Sequence, residues 1–198
     1  MKVLIGTNNK SKIKKYGTIF DELGIEYCTP ADLSINIDIK ESGNTPEENS
    51  KIKAREYFRI AKIPTIADDS GLEIYGLPKE KQPGVYVRRK DGKRLTDDEW
   101  ISTYSELIKK LGGKTKGAFI TAITIIDDNG KEYTNILRHE HIFISTPCKT
   151  RNEGYPANSL IFNEEKNKYL AEINENKSEY KGNSYENNYN FIKSVFIL

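Results

Sequence analysis

The chain has 198 residues, 30% of them charged and 36% hydrophobic, with 31 Lys+Arg against 29 Asp+Glu. That length suits a single domain with a sizeable core, and a formal net charge of +2 argues against a dedicated nucleic-acid binder. No apolar run approaches the roughly 20 residues that cross a bilayer, and the opening stretch Met1–Thr7 is too short for a signal peptide.

In chain order, Lys2 to Thr7 read as a short apolar strand ending in a polar turn, with Asn9 as a helix N-cap. Ile13, Tyr16, Phe20 and Leu23 recur at the spacing of an amphipathic helix, and Gly24 is its stop. Ile25–Cys28 is the next expected strand. Ile35, Ile37 and Ile39 alternate as in a half-buried strand within Asp32–Asn44. Thr45-Pro46-Glu47-Glu48 predicts a helix start, with a hydroxyl cap, proline at the first position and acids in the first turn. That helix runs to about Ala61 and ends before Pro64. Thr65–Ala67 is expected as a brief strand that gives way to Asp68-Asp69-Ser70-Gly71.

Pro78 to Arg94 reads as a basic loop with a turn at Pro83-Gly84. Asp97 to Leu111 follows as a helix with Trp100, Tyr104, Leu107 and Leu111 on one stripe, closed by Gly112-Gly113. Ala118–Ile126 and the segment from Tyr133 onward are strands of a hairpin turning at Asp127–Gly130. The tail beyond Arg151 is rich in Asn, Glu, Lys and Tyr and ends in the apolar stretch Phe191–Leu198. Strands and helices alternate first and hairpins dominate later, which favours a mixed α/β fold.

Several features bear on chemistry. Adjacent carboxylates repel unless a cation intervenes, so Asp68-Asp69 is either a magnesium holder, with Glu41, Glu47 and Glu48 near enough in sequence to join it, or a solvated turn. The turn Thr7–Lys12 meets a helix N-terminus, where backbone N–H groups and Lys12 favour an anion; a plain capped turn is the alternative. Lys53, taken alone, is an exposed helix lysine. Arg88, Arg89, Lys90, Lys93 and Arg94 form either a solvated loop or a phosphate clamp. His139 and His141 share one strand face with no third metal ligand in view. Cys28 and Cys148 have no histidine partner, support no disulfide framework, and read as inert thiols; the reducing cytoplasm is the expected compartment.

In this order and spacing, these residues resemble the inosine triphosphate pyrophosphatases. That family's opening motif, Thr-x-Asn-x-x-Lys, is met by Thr7, Asn9 and Lys12. Its second block is met by Glu41, Gly43, Thr45, Glu48, Asn49, Lys53 and Ala54. Its third, Ala-Asp-Asp-Ser-Gly-Leu, is Ala67–Leu72 unchanged. Pro83-Gly84-Val85-Tyr86 follows, with Arg89 at the family's arginine. The second half departs: Gly154–Phe162 stands where the family has Gly-Phe-Gly-Tyr-Asp-Pro-Ile-Phe, and the aspartate is gone. Ala171-Glu172-Ile173 survives, with Lys177 as the following lysine. Lys181-Gly182-Asn183 replaces Ser-His-Arg, and Val87 and Arg88 replace serine and alanine.

The resemblance implies an elongated α/β protein over residues 1–198, a single domain with a mixed central sheet and two lobes around one cleft. It implies a homodimer that hydrolyses ITP, dITP or XTP to the monophosphate and pyrophosphate with Mg2+, touching neither nucleic acid nor membrane. Carried over residue by residue, Glu41 and Asp68 would hold the metal, and Asp69, supported by Glu48, would orient or deprotonate the water. Thr7, Asn9, Lys12, Lys53, Ser70, Gly71, Arg89 and Lys177 would bind the substrate. The replaced second half leaves two further readings: altered base specificity, or a nucleotide sensor without turnover.

Overall fold

The computed structural model describes residues 1–90, 92–173 and 183–197. The strands are β1 (Lys2–Ile5), β2 (Glu26–Cys28), β3 (Thr65–Ile74), β4 (Arg89–Lys90), β5 (Lys93–Arg94), β6 (Lys114–Ile126), β7 (Glu132–Ile144), β8 (Ile161–Asn163) and β9 (Lys168–Tyr169). The helices are α1 (Lys10–Leu23), α2 (Pro46–Ala61), α3 (Asp97–Lys110), the single turn α4 (Leu170–Ile173) and α5 (Asn183–Phe196). Seven strands make one mixed sheet in the order β2-β1-β3-β6-β7-β8-β9, and β4 and β5 pair antiparallel apart from it. The mixed α/β architecture expected from the sequence is therefore present. No helix among the described residues is long and apolar enough to cross a membrane.

The chain divides into two compact units. One comprises Met1–Ser70, Thr121–Leu137 and Gly182–Leu198; the other comprises Gly71–Ile120 and Arg138–Lys181.

In the first unit, β1 lies parallel to both β2 and β3. Asn9 caps α1 by accepting from the Ser11 and Lys12 amides, and Gly24 ends the helix in the left-handed conformation. The helix buries Tyr16, Ile19 and Phe20 against Val3, Ile5 and Ile66 on one sheet face, with Ile192 of α5 in the same cluster. Each such aliphatic or aromatic side chain withdrawn from water contributes about 1.5–3 kcal/mol before ordering costs. Thr45 caps α2 and Pro46 opens it. That helix sets Tyr57 against Leu4 and Cys28, and Ala54 against Ala67 and Ile126. The alternation Val3/Leu4 and Ile66/Ala67 thus assigns α1 to one face of the sheet and α2 to the other.

The expected strand through Ile35, Ile37 and Ile39 does not form. These three side chains still pack in alternation against Leu4, Cys28 and Tyr57, but their backbone joins no ladder. A period of two reports that one side of an extended chain is covered; it does not require a hydrogen-bonded neighbour. Residues 191–196 of the apolar stretch near the C-terminus belong to helix α5.

The second unit is built on α3. Thr96 and Glu99 form a capping box at its start, and Gly112 and Gly113, both at positive φ, close its end. Trp100, Ile101, Tyr104 and Ile108 are the buried residues, with Leu107 and Leu111 at the margin of the same cluster. Trp100 and Tyr104 stack at 4.0 Å, and both donate to the Val87 carbonyl. β7, β8 and β9 follow as antiparallel neighbours.

β3 does not stop at Ala67. It runs from Thr65 to Ile74, so Asp68 and Asp69 lie inside a strand and are both buried.

Candidate active site

β1 ends at Ile5, which pairs with Ile66, so Asp68 and Asp69 sit just past the carboxyl end of β1. From β1 the chain goes through α1 to β2 on one side, while β3 flanks it on the other. This is a topological switch point, where open α/β sheets place their ligands. Because successive strand residues face opposite ways, the two carboxylates diverge: Asp68 meets α1 and Asp69 meets α2.

Asp68 is enclosed. Lys12 Nζ lies 2.8 Å from Oδ1, Lys15 Nζ lies 3.4 Å from Oδ2, and the Tyr16 hydroxyl donates to Oδ2 at 2.9 Å. The Lys12 ammonium also reaches the Asp68 carbonyl at 3.3 Å. Burial alone would raise the Asp68 pKa, but the Lys12 charge, then that of Lys15, holds it well below the usual carboxylate range. The same burial, together with Asp68, pushes the Tyr16 phenol far up.

Asp69 is arranged differently. Its Oδ1 lies 2.8 Å from Lys53 Nζ, which also lies 3.0 Å from Glu41 Oε1. Its Oδ2 accepts from Asn49 Nδ2 at 3.3 Å. Burial raises the Asp69 pKa, and the neighbouring Lys53 only partly reverses that. The Lys53 pKa rises because Asp69 and Glu41 together outweigh its own desolvation. One side of the switch point thus has two ammoniums around one carboxylate, and the other has two carboxylates around one ammonium.

The loop carrying Glu41 is fixed from α2. Asn49 Oδ1 accepts from the Gly43 amide at 2.8 Å, and Glu48 Oε2 accepts from the Asn44 amide at 2.6 Å. Gly43 is needed here because a Cβ would fall 2.6 Å from Glu48 Cβ and 2.7 Å from Asn49 Oδ1. Gly43→Ala is expected to cost about 1–3 kcal/mol, as overpacking does, measured by urea denaturation.

Thr7 and Asn9 make the turn between β1 and α1, where the Asn9 amide donates to Thr7 Oγ1 at 3.2 Å. Asn9 Oδ1 already accepts from the Ser11 and Lys12 amides, so an incoming anion meets lysine ammoniums here rather than those amides. Ser70 Oγ hydrogen-bonds Thr121 Oγ1 at 3.1 Å. Thr7, Asn9, Lys12, Glu41, Glu48, Lys53, Asp68, Asp69 and Ser70 therefore all belong to the first unit. Within it, Glu41 is joined through Lys53 to Asp69, while Asp68 is held by α1. Glu48 serves as a cap and loop anchor.

Gly71 and Arg89 belong to the second unit. Gly71 is buried in β3, while Arg89 is exposed and sits opposite Arg94. Lys177 lies outside the described residues, as do Lys181 and Gly182. The structure adds Lys15, Tyr16 and Asn49 to the residues that sequence reasoning placed in the site. Tyr16 is hidden in the sequence by its place on the apolar stripe of α1, although a phenol at a core position needs a partner. Lys15 carries a weaker signal, its position one turn after Lys12.

In the second unit, Arg88 is not a solvated loop cation. It donates to Asp97 Oδ1 at 2.6 Å and to the Gly154 carbonyl at 2.5 Å, and Asp97 Oδ2 accepts from the Gly154 amide at 2.7 Å. This clasp ties the segment that replaces the family's Gly-Phe-Gly-Tyr-Asp-Pro block to the first turn of α3. His141 is packed between Phe119 and Phe143, and burial, with His139 as a smaller cause, lowers its pKa. Cys28 and Cys148 are buried free thiols, and burial raises both.

Fold and site together define a mixed α/β protein with a phosphate-suited cationic half and an acidic half at the carboxyl end of its first strand. The Ham1 family model matches residues 3–183, and the chain belongs to that family. A dITP/XTP pyrophosphatase of Leptospira interrogans (serogroup Icterohaemorrhagiae serovar copenhageni) is 40% identical over 130 residues, covering 65% of this chain. That match spans 64% of the Leptospira protein's length. A dITP/XTP pyrophosphatase of Thermus thermophilus is 32% identical over 184 residues, covering 91% of this chain and 85% of that protein. Among solved structures, a HAM1 protein from Coxiella burnetii superposes with a TM-score of 0.81 at 24% identity, covering 98% of this chain and 99% of the other. The Staphylococcus aureus Ham1 protein has a TM-score of 0.78 at 22% identity, over 98% of this chain and 100% of that one. These two share the fold.

Proposed function

We propose that this chain hydrolyses nucleoside triphosphates between the α and β phosphates, releasing a monophosphate and pyrophosphate. The observation that carries this reading is the divergent pair on β3, with Asp68 set among lysines of α1 and Asp69 set beside Lys53 and Glu41. A triphosphate needs dense positive charge along its oxygens and a carboxylate beside the attacked phosphorus, and this arrangement offers both.

Lys12 and the turn at Thr7 and Asn9 receive the phosphate chain, with Lys53, Ser70 and Gly71 along β3 and α2; Arg89 and Lys177 are further binding residues by resemblance. Asp69 orients the attacking water and accepts its proton, a role suited to its raised pKa. Glu48 supports it by anchoring the Asn44 amide and so the loop that carries Glu41.

Mg2+ would neutralise charge on the phosphates when bound. The donor chemistry fits Glu41, whose Oε1 already lies 3.0 Å from a cation, the Lys53 ammonium. Magnesium is commonly held by one or two carboxylates completed by substrate phosphates. Asp68, closed in by two ammoniums and a phenol, is better suited to placing lysines than to holding metal.

The relatives' names support deaminated purine nucleotides of the ITP, dITP and XTP class as substrates. A second reading, altered base selection with the same chemistry, is favoured by the Arg88–Asp97–Gly154 clasp. Arg88 and that segment are both departures from the family pattern. We place the enzyme in the cytoplasm as a homodimer, with small nucleotides as its partners.

The test is a panel of ITP, dITP, XTP, ATP and GTP, assayed separately for pyrophosphate and orthophosphate, with and without a chelator. Pyrophosphate from at least one nucleotide, lost on chelation and restored by Mg2+, is the expected result. Orthophosphate alone, or no turnover with any of them, would overturn the reading.

A further inference from the structure

We infer that Lys15 is a further phosphate-binding lysine of this site, and that Asp68 is the positioning residue that aims it alongside Lys12. This rests on the hydrolase reading above. Neither Lys15 nor Tyr16 belongs to the motif Thr-x-Asn-x-x-Lys, which ends at Lys12, so the motif assigns them nothing.

Asp68 has a side chain only 1% exposed, and Lys12 alone, at 2.8 Å, would neutralise it. A second ammonium, Lys15, is nevertheless brought to the other oxygen, where the Tyr16 hydroxyl already donates at 2.9 Å. The result is one more positive charge than the carboxylate can balance. The site's other acids, Glu41 and Asp69, are engaged by Lys53. Lys15 Nζ also lies 4.1 Å from the centroid of the Tyr16 ring, a cation–π contact that helps to hold it beside Asp68.

Crowding two ammoniums in this way is unfavourable in the free protein. An anion that touches both ammoniums removes that cost. Access is retained, since the Lys12 and Lys15 side chains are 24% and 32% exposed against 1% for Asp68. Buried carboxylate behind and two ammonium tips in front make a surface for adjacent phosphate groups, not for a single monoanion.

The probe is inorganic tripolyphosphate, titrated by calorimetry into the wild type, Lys15→Met and Lys15→Arg, with thermal denaturation of each. Lys15→Met is expected to weaken tripolyphosphate binding roughly 10- to 100-fold, the scale of a lost charge-assisted contact. It should also raise KM for the nucleotide far more than it lowers kcat. Lys15→Arg should restore affinity to within a few-fold. A purely structural lysine would instead lower thermal stability and leave tripolyphosphate affinity unchanged, which would overturn the inference. If wild type binds no tripolyphosphate and turns over no nucleotide, the hydrolase reading itself falls; if wild type does both and Lys15→Met binds equally well, only the role of Lys15 falls.

Discussion

Asp69→Asn is expected to reduce pyrophosphate release by roughly 10²- to 10⁴-fold, the usual contribution of a positioned base, while the protein stays folded. Asparagine keeps the size of the side chain and a hydrogen-bonding oxygen towards Lys53, but it cannot take a proton. The stability side follows from linkage. Burial holds the Asp69 pKa above its ordinary value, so at neutral pH its ionisation works against the folded state. Removing the charge relieves that cost but also takes one of its two carboxylates from the largely buried Lys53, so the melting temperature should shift little. The wild-type rate should fall on the acid side at a pH above the ordinary aspartate value of about 3.9. Turnover by Asp69→Asn within a few-fold of wild type would remove Asp69 from the reaction.

Asp68→Asn should do the opposite, damaging the fold first. The carboxylate is nearly inaccessible and holds two ammoniums and a phenol. Breaking a buried pair by deleting one partner commonly costs 3–5 kcal/mol; about 3 kcal/mol is expected here, because the lysine tips keep part of their water. The pH dependence has a definite sign. The folded pKa of Asp68 is depressed, so its stabilisation is present above the unfolded value of about 3.9 and is lost as pH falls towards the folded value. The gap in unfolding free energy between wild type and Asp68→Asn should hold from neutral pH down to about pH 4 and close below it. A constant gap at all pH values would mean that Asp68 acts through packing rather than charge. Together the two variants separate neighbouring aspartates into one that serves chemistry and one that organises lysines.

Much of this was legible in the residues. Asn9 and Gly24 bracket α1, Thr45 and Pro46 open α2, and Thr96 with Glu99 opens α3, because caps are local and each satisfies backbone groups within one turn. The three ordered motifs placed the chain in its family, which the Ham1 match over residues 3–183 bears out. Less legible were the limits of strands. Ile35, Ile37 and Ile39 have strand periodicity without a strand, since a ladder needs a partner that periodicity does not supply. β3 passes through two aspartates that read as a turn, since lysines distant in sequence make their burial tolerable.

By itself, then, the sequence determined helices α1, α2 and α3 and the mixed α/β class, which follow from local spacing and residue chemistry, and the family resemblance supplied most residues of the proposed site; Lys15, Tyr16 and Asn49 came from the structure alone. It did not show that Asp68 and Asp69 turn to opposite faces. That was decided by the pleat of β3, which turns adjacent side chains to opposite faces, and by the packing of α1 on one face and α2 on the other. Only in that arrangement does Asp68 gather Lys12, Lys15 and Tyr16 while Asp69 shares Lys53 with Glu41. Electrostatics among groups as far as 56 positions apart in the chain is a property of the folded sheet, not of any motif.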